Sequence, residues 1–390
     1  MSSPGADFRR DVWRAQGADA EQAEELLAYA RSPVQEIALE AARVPLPEAA
    51  CVADWERYAD EARAGGAAAV LRRVLVQLRF PVRAGMSQSP EYLAATRRGQ
   101  LPEEAAPGVT WVEPDGLRVY LHPTPAGRVP VMLAAAREDF ETLVQAVTRR
   151  NEPEPVLASM GACMIAGYNN WERVAALRRA YLMEHPDDWT GEGWAAAFRE
   201  IVSQKDLYQD RFMLLSSGPY SATPASVVGL GDDEWRAASV KLRLEHECTH
   251  FFMRQAFGAM RKSLLDELVA DYMGLVEALG RFRCHDFLVF MGLEALPAYR
   301  AGGRFQNYVG DLSEGAVAVL RPVVAKAARA LETFDPSRGR CPLGVVDKAR
   351  LVTAVTRVGL EGLAAPAAGE LLEAALAEAA AMIVSAEVAG

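Results

Sequence analysis

Two histidines and one glutamate in the segment His246-Glu247-Cys248-Thr249-His250 have the types and spacing that bind a divalent metal ion. On an α-helix, positions i and i+4 lie about 40° apart, so His246 and His250 share a face at a separation that one ion can bridge. Glu247 lies about 100° from His246, close enough to reach a water molecule beside the ion without being a ligand. This HExxH pattern predicts a metal site with Glu247 as general base.

A second polar pair follows a short distance along the chain. Glu267 and Asp271 are again four residues apart, and the small residues Ala270 and Gly274 border the same face, which allows a close approach between two helices. We expect Glu267 to be the third ligand and Asp271 to accept the other ring N–H of a ligand histidine, which fixes its tautomer. Asp271 and Asp266 are the alternatives for the third ligand. Three protein ligands leave a position open, so we expect one catalytic Zn²⁺ ion.

These residues together resemble the gluzincin metallopeptidases, the thermolysin-like and aminopeptidase-like group, in which HExxH precedes an ExxxD pattern on a second helix. The resemblance covers only residues 240–275, under a tenth of the chain. It implies three zinc ligands, one general base and one supporting carboxylate, at His246, His250, Glu267, Glu247 and Asp271. The chain departs from the best-known members in two ways: the gap between the second histidine and the glutamate is shorter, and it holds no Tyr or His as an oxyanion donor.

A hydrolytic site also needs donors for the charge that develops on the reacting oxygen, or for a carboxylate of the substrate. The candidates are polar residues near the two helices, each with an ordinary structural or surface role as the alternative: Arg304, Asn307, Tyr308, Tyr220 and His285. Cys248 lies about 160° from both motif histidines, on the side of Leu244 and Phe252. We therefore expect Cys248 to be a small buried residue and not a ligand.

Composition excludes several classes of function. The 390 residues carry a net charge of −10, which provides no electrostatic footprint for DNA, RNA or an anionic membrane. No stretch reaches the roughly 18 apolar residues that a membrane span needs, and the first residues lack the pattern of a signal peptide. The five cysteines form no CxxC pair, so we expect reduced thiols in a cytoplasmic protein.

Periodicity predicts a mainly helical chain with a small β-rich part. Apolar residues at three- and four-residue spacing predict helices within 7–80, at 138–149, 171–184, 191–203, 233–260 and 263–280, and through most of the chain after 310. Two β-type runs around Thr124-Pro125-Ala126-Gly127 predict a hairpin of Leu117–His122 with Val129–Leu133, and Phe212–Ser216 predicts another strand. We expect an extended connection at 81–108 and irregular structure at 151–170.

We therefore expect an α+β fold, predominantly helical, in three parts. These are an N-terminal helical segment (1–108), a zincin-like catalytic domain with a small sheet and the metal-binding helices (109–310), and a C-terminal helical segment (311–390). The flanking segments could narrow access to the metal or form the interface of a homo-oligomer.

The function expected from these residues is zinc-dependent hydrolysis of a peptide or another amide, with restricted specificity. Two alternatives stay open. Two histidines and one carboxylate also describe the facial triad of non-haem iron oxygenases. A zincin-like protein could also bind a partner without catalysis. Placement on two helices and the adjacent Glu247 favour zinc hydrolysis.

Overall fold

Helices make up most of the chain, which confirms the predicted α+β, predominantly helical class. The computed structural model describes residues 5–32, 42–101, 108–188, 190–258, 263–336 and 339–386. The helices and strands of this part of the chain are, in order, α1 (Ala6–Ala15), α2 (Ala20–Ala30), β1 (Ala42–Val44), α3 (Val52–Gly65), α4 (Ala67–Val74), α5 (Pro90–Arg98), β2 (Arg118–Thr124), β3 (Gly127–Ala134), α6 (Arg137–Thr148), β4 (Ala162–Asn169), α7 (Trp171–Glu184), α8 (Glu192–Ser203), β5 (Gln209–Ser216), α9 (Ala225–Val228), α10 (Asp232–Phe257), α11 (Leu264–Leu279), α12 (Cys284–Met291), α13 (Glu314–Phe334), α14 (Val345–Ala364), α15 (Ala368–Met382) and β6 (Ile383–Ser385).

The chain forms two compact units that do not follow the three segments expected from the sequence. One, called here the helical unit, comprises Met1–Pro47, Thr124–Gly127 and Pro219–Gly390, and the other, the sheet unit, comprises Glu48–Pro123 and Arg128–Gly218. The helical unit thus combines residues from all three predicted segments. Periodicity locates single helices, but it does not report which distant helices pack together.

The sheet unit is built around a four-stranded sheet in the order β2-β3-β5-β4. Strand β3 runs parallel to β5, with Val131 opposite Met213, and β4 runs antiparallel to β5. Large apolar side chains such as Trp55, Phe140 and Phe212 form its core. The predicted hairpin is present as β2 and β3, and the Thr124 hydroxyl closes its turn by donating to the Gly127 carbonyl at 2.6 Å.

Two predictions for this region were wrong. The expected extended connection at 81–108 contains α5, because Ser89 caps that helix by accepting from the Tyr92 amide and Pro90 occupies its first turn. Residues 102–107 of that stretch lie outside the described residues. The expected irregular segment 151–170 contains β4, an edge strand whose pairing shifts near Gly167 and whose residues show no apolar alternation.

In the helical unit, α10 and α11 pack directly against each other. Gly274 makes this close approach possible, since a Cβ atom there would lie 2.7 Å from the Leu242 carbonyl oxygen. Gly258, with φ of 67°, ends α10 in the left-handed conformation. Ser263 begins α11 by accepting from the Asp266 amide at 3.3 Å.

Buried ion pairs connect the C-terminal helices to α10 and α11. Lys348 of α14 lies 2.8 Å from Glu245 of α10 and 3.7 Å from Glu277 of α11. Glu277 also accepts from the Leu343 amide at 2.7 Å. Because each charge is buried, losing one partner would leave the others uncompensated, so the three helices are held in one arrangement.

The N-terminal helices belong to the same unit. Arg9 of α1 lies 2.7 Å from the buried carboxylate of Glu361 in α14, and the Trp13 indole donates to that carboxylate at 3.2 Å. No helix of the described residues is both long enough and apolar enough to cross a bilayer.

A buried ion pair in the sheet unit provides a test of this fold. Asp210 is fully buried and accepts from Trp55 at 2.9 Å, Asn170 at 2.7 Å and Arg173 at 3.0 Å. We expect Asp210→Ala to lower the free energy of unfolding by about 3 kcal/mol, because it leaves three buried donors without their acceptor. Asp206→Ala is the control, since its side chain is 88% exposed and 4.0 Å from Arg211. The free energy of unfolding is measured by urea titration. Equal losses in the two variants would contradict the role of Asp210 as the shared acceptor.

Candidate metal centre

Three side chains predicted to be ligands converge in the helical unit. His246, His250 and Glu267 each direct one potential ligand atom to a shared point, with all these atoms within 4.8 Å of one another. The two Nε2 atoms of the histidines are 3.0 Å apart, and Glu267 oxygens lie 3.3 Å from His250 and 3.7 Å from His246. Their side chains are 7% exposed for His246 and Glu267 and 11% for His250.

The helices explain this convergence. His246 and His250 stand one turn apart on α10, with their rings at 89° to each other, so both Nε2 atoms face the same space. The close packing of α10 on α11 brings Glu267, in the first turn of α11, to that space. The cluster therefore depends on one helix–helix contact and on local spacing.

The donor set fits a divalent metal ion. Zinc–ligand distances of about 2.0–2.1 Å at tetrahedral angles place neighbouring ligand atoms about 3.3 Å apart, close to the separations seen here. Oε2 of Glu267 is buried and has no hydrogen-bond partner among the described residues. A buried carboxylate oxygen beside two ring nitrogens is costly unless a cation is shared between them. The residues present therefore could hold such an ion.

Asp271 fixes the state of His246. One carboxylate oxygen of this fully buried residue lies 2.8 Å from Nδ1 of His246. Because a carboxylate accepts and does not donate, the ring proton belongs on Nδ1, which leaves the Nε2 lone pair directed at the cluster. Asp271 lies one turn after Glu267, so one face of α11 supplies both groups.

Tyr220 and Arg304 surround Asp271. The Tyr220 hydroxyl donates to Asp271 at 2.5 Å and accepts from Nη1 of Arg304 at 2.7 Å, while Nη2 of Arg304 donates to the other Asp271 oxygen. The Tyr220 hydroxyl lies 3.0 Å from Nδ1 of His246. Its proton is thus used on the Nδ1 side of His246, opposite the cluster, and the expected role of Tyr220 as an oxyanion donor does not fit this position.

Neighbouring groups, with Arg304 among them, keep Glu267 ionised. Burial by itself would raise the pKa of the Glu267 carboxyl, but the hydrogen bond with His250, the adjacent His246 and the Arg304 guanidinium, 4.0 Å away, together hold that pKa well below its usual range. Glu267 is therefore ionised at neutral pH. The site thus combines two buried carboxylates, those of Glu267 and Asp271, with one guanidinium and two imidazoles.

The other predicted residues are placed differently from one another. Glu247 is partly exposed on α10 and lies within electrostatic reach of His250. Tyr308 is partly exposed, and burial together with the Glu267 charge raises its pKa above the usual value. Asn307 and His285 are exposed, and no contact among the described residues joins them to the cluster. The structure thus groups Arg304 and Tyr308 with the cluster, but not Asn307 or His285.

Cys248 is buried, as predicted, with 2% of its surface exposed. Burial raises the pKa of its thiol well above the usual value, and its sulfur is not among the ligand atoms that converge in the cluster. The sequence reasoning missed one residue that contacts the site, Tyr29 of α2, which donates to the Tyr308 carbonyl. Its partner is 279 residues away, and no local pattern could have indicated it.

Comparison with known proteins gives a family without an assigned activity. Residues 11–367 match a family described as "Family of unknown function (DUF7005)". No curated protein and no solved structure matches the chain significantly.

Glu267 provides the test of the cluster. We expect Glu267→Gln to weaken the affinity for Zn²⁺ by more than about 100-fold, because a neutral amide replaces an ionised ligand. The measurement is competition with a chelator on metal-free protein. Asp286→Asn is the control, since it also alters a buried carboxylate of the helical unit, but one that pairs with Arg283 at 2.8 Å. Wild-type affinity in Glu267→Gln would remove Glu267 from the ligand set.

Proposed function

The chain belongs to this family of unknown function, and we propose that it is a zinc-dependent hydrolase of peptides or other amides. The observation that carries the proposal is the convergence of His246, His250 and Glu267 beside Glu247. We further propose that α10 and α11 correspond to the two metal-binding helices of a zincin-like core. This part of the proposal rests on those two helices alone.

Each residue of the site would have a separate role in the proposed hydrolysis. When bound, zinc would polarise a substrate carbonyl and lower the pKa of a water molecule towards about 7. Glu247, one position after a ligand and partly exposed, would take the proton from the attacking water and pass it to the leaving amine nitrogen. Asp271 would keep the proton on Nδ1 of His246 throughout, so that Nε2 stays free as a ligand.

Tyr308 is the better candidate for contact with a substrate oxygen than Tyr220. Its side chain is partly exposed, and its hydroxyl is close enough to Glu267 for that charge to act on its pKa. The hydroxyl of Tyr220, in contrast, is buried and already bonded to Asp271 and Arg304. Low exposure of the three proposed ligands supports restricted specificity, because little of their surface is open to a substrate.

Glu247→Gln tests the proposed chemistry. We expect hydrolysis of a peptide library, followed by mass spectrometry, to slow by about 10²- to 10⁴-fold, because the amide cannot accept a proton. Zinc content should stay that of the wild type, since Glu247 is not a proposed ligand. Glu234→Gln, an exposed glutamate on the same helix, is the control and should keep the wild-type rate. An equally active Glu247→Gln protein would overturn the general-base assignment. Zinc-loaded wild type that cleaves no amide would favour a binding role instead.

The identity of the metal tests the proposal in a second way. We expect protein purified without added metal to contain close to one zinc ion per chain, since two neutral imidazoles and one carboxylate on adjacent helices form a common catalytic zinc site. The measurement is elemental analysis after gel filtration. Stoichiometric iron, with oxygen consumption when substrate is added, would replace the hydrolase with the oxygenase alternative.

A further inference from the structure

The hydroxyl of Tyr29, near the end of α2, connects two parts of the metal site. It donates to the Tyr308 carbonyl oxygen at 2.9 Å and accepts from the Leu264 amide at 3.0 Å. Leu264 is the first residue of α11, the helix that carries Glu267 and Asp271. Tyr308 is the last residue of the helical turn Arg304–Tyr308, called here the arginine turn, which carries Arg304.

The same face of α2 holds the chain that follows the arginine turn. Glu25 accepts from both the amide and the hydroxyl of Ser313, at 2.5 and 2.6 Å, and Ser313 is the residue that caps α13. Gln22 lies against Gly315, where a Cβ atom would come within 2.5 Å of its side-chain nitrogen. Residues 22, 25 and 29 have the i, i+3, i+7 spacing of one helix face. The contact is therefore a continuous strip along α2.

The arginine turn needs such support. It is a 3₁₀ helix of only five residues, whose hydrogen bonds are poorer than those of an α-helix. Its first end is fixed because Gly303 packs on α12, where a Cβ atom would lie 2.5 Å from the Met291 carbonyl. Tyr29 fixes its other end. Between these two points Arg304 must reach both Asp271 and Tyr220.

We propose that Tyr29 is a positioning residue of the metal site, which sets the distance between the arginine turn and the start of α11. This inference rests on the proposed role of Glu267 as a ligand. Tyr29 acts through its neighbours: the Leu264 amide begins the helix turn that holds Glu267, and the Tyr308 carbonyl ends the turn that holds Arg304. Without the hydroxyl, Arg304 would hold Asp271, and thereby His246, less firmly.

Tyr29→Phe tests the inference, with Tyr272→Phe as the matched control. Tyr272 lies on α11, and its hydroxyl donates to Asp335 at 2.9 Å and not to the arginine turn. Each change removes one tyrosine hydroxyl from the helical unit. Chelator competition with Zn²⁺ on the full chain should show an affinity about ten-fold weaker for Tyr29→Phe, and within two-fold of wild type for Tyr272→Phe.

Hydrogen exchange on the metal-free full chain is the second measurement, and it does not require catalysis or bound zinc. We expect Tyr29→Phe to speed amide exchange in peptides that cover residues 303–312 and 264–268, relative to both wild type and Tyr272→Phe. Equal zinc affinity and equal exchange in the two variants would overturn the inference. A wild type that binds no zinc would instead overturn the proposed function, and the exchange rates would still decide the role of Tyr29.

Discussion

The rest of the site depends on the hydrogen bonds that the buried carboxylate of Asp271 accepts. It accepts hydrogen bonds from His246 on α10, from Tyr220 in the 3₁₀ turn Tyr220–Ala222, and from Arg304 in the arginine turn. An ionised group in a fully buried position is stable only if such donors surround it. The need to satisfy one buried charge therefore fixes the tautomer of a proposed ligand and brings three chain segments to the same point.

Charge also restrains α10 on its other side. Glu245 immediately precedes His246 and pairs with Lys348 of α14, which in turn lies near Glu277 of α11. Helix α10 thus makes buried ionic contacts through residues that point in different directions around its axis. A rotation of α10 that moved the histidines would break the contacts of Glu245, so the C-terminal helices contribute to the geometry of the cluster without touching it.

The spacing of residues along the sequence predicted the cluster, but it could not predict contacts between distant parts of the chain. His246, His250, Glu267 and Asp271 could be paired in advance because a helix converts a four-residue interval into a shared face. The ion pairs of Lys348 and the hydrogen bonds of Tyr29 join residues that are far apart in the chain. The sequence next to Lys348 or Tyr29 does not indicate which distant residue it contacts. Ser89 and Pro90 fall in the predicted extended connection, but Ser and Pro are common both in loops and at the first positions of helices.

The contacts of the first two helices have a consequence for the order of folding during synthesis. Tyr29 finds its carbonyl partner 279 residues later, and Arg9 finds Glu361 after 352 residues. A chain that leaves the ribosome amino terminus first must therefore keep α2 without this partner until residue 308, and α1 without its partner until residue 361, of the 390 residues has been translated. The proposed ligands are all present once Glu267 has been translated, but the cluster gains the support of Tyr29 only after residue 308 has followed.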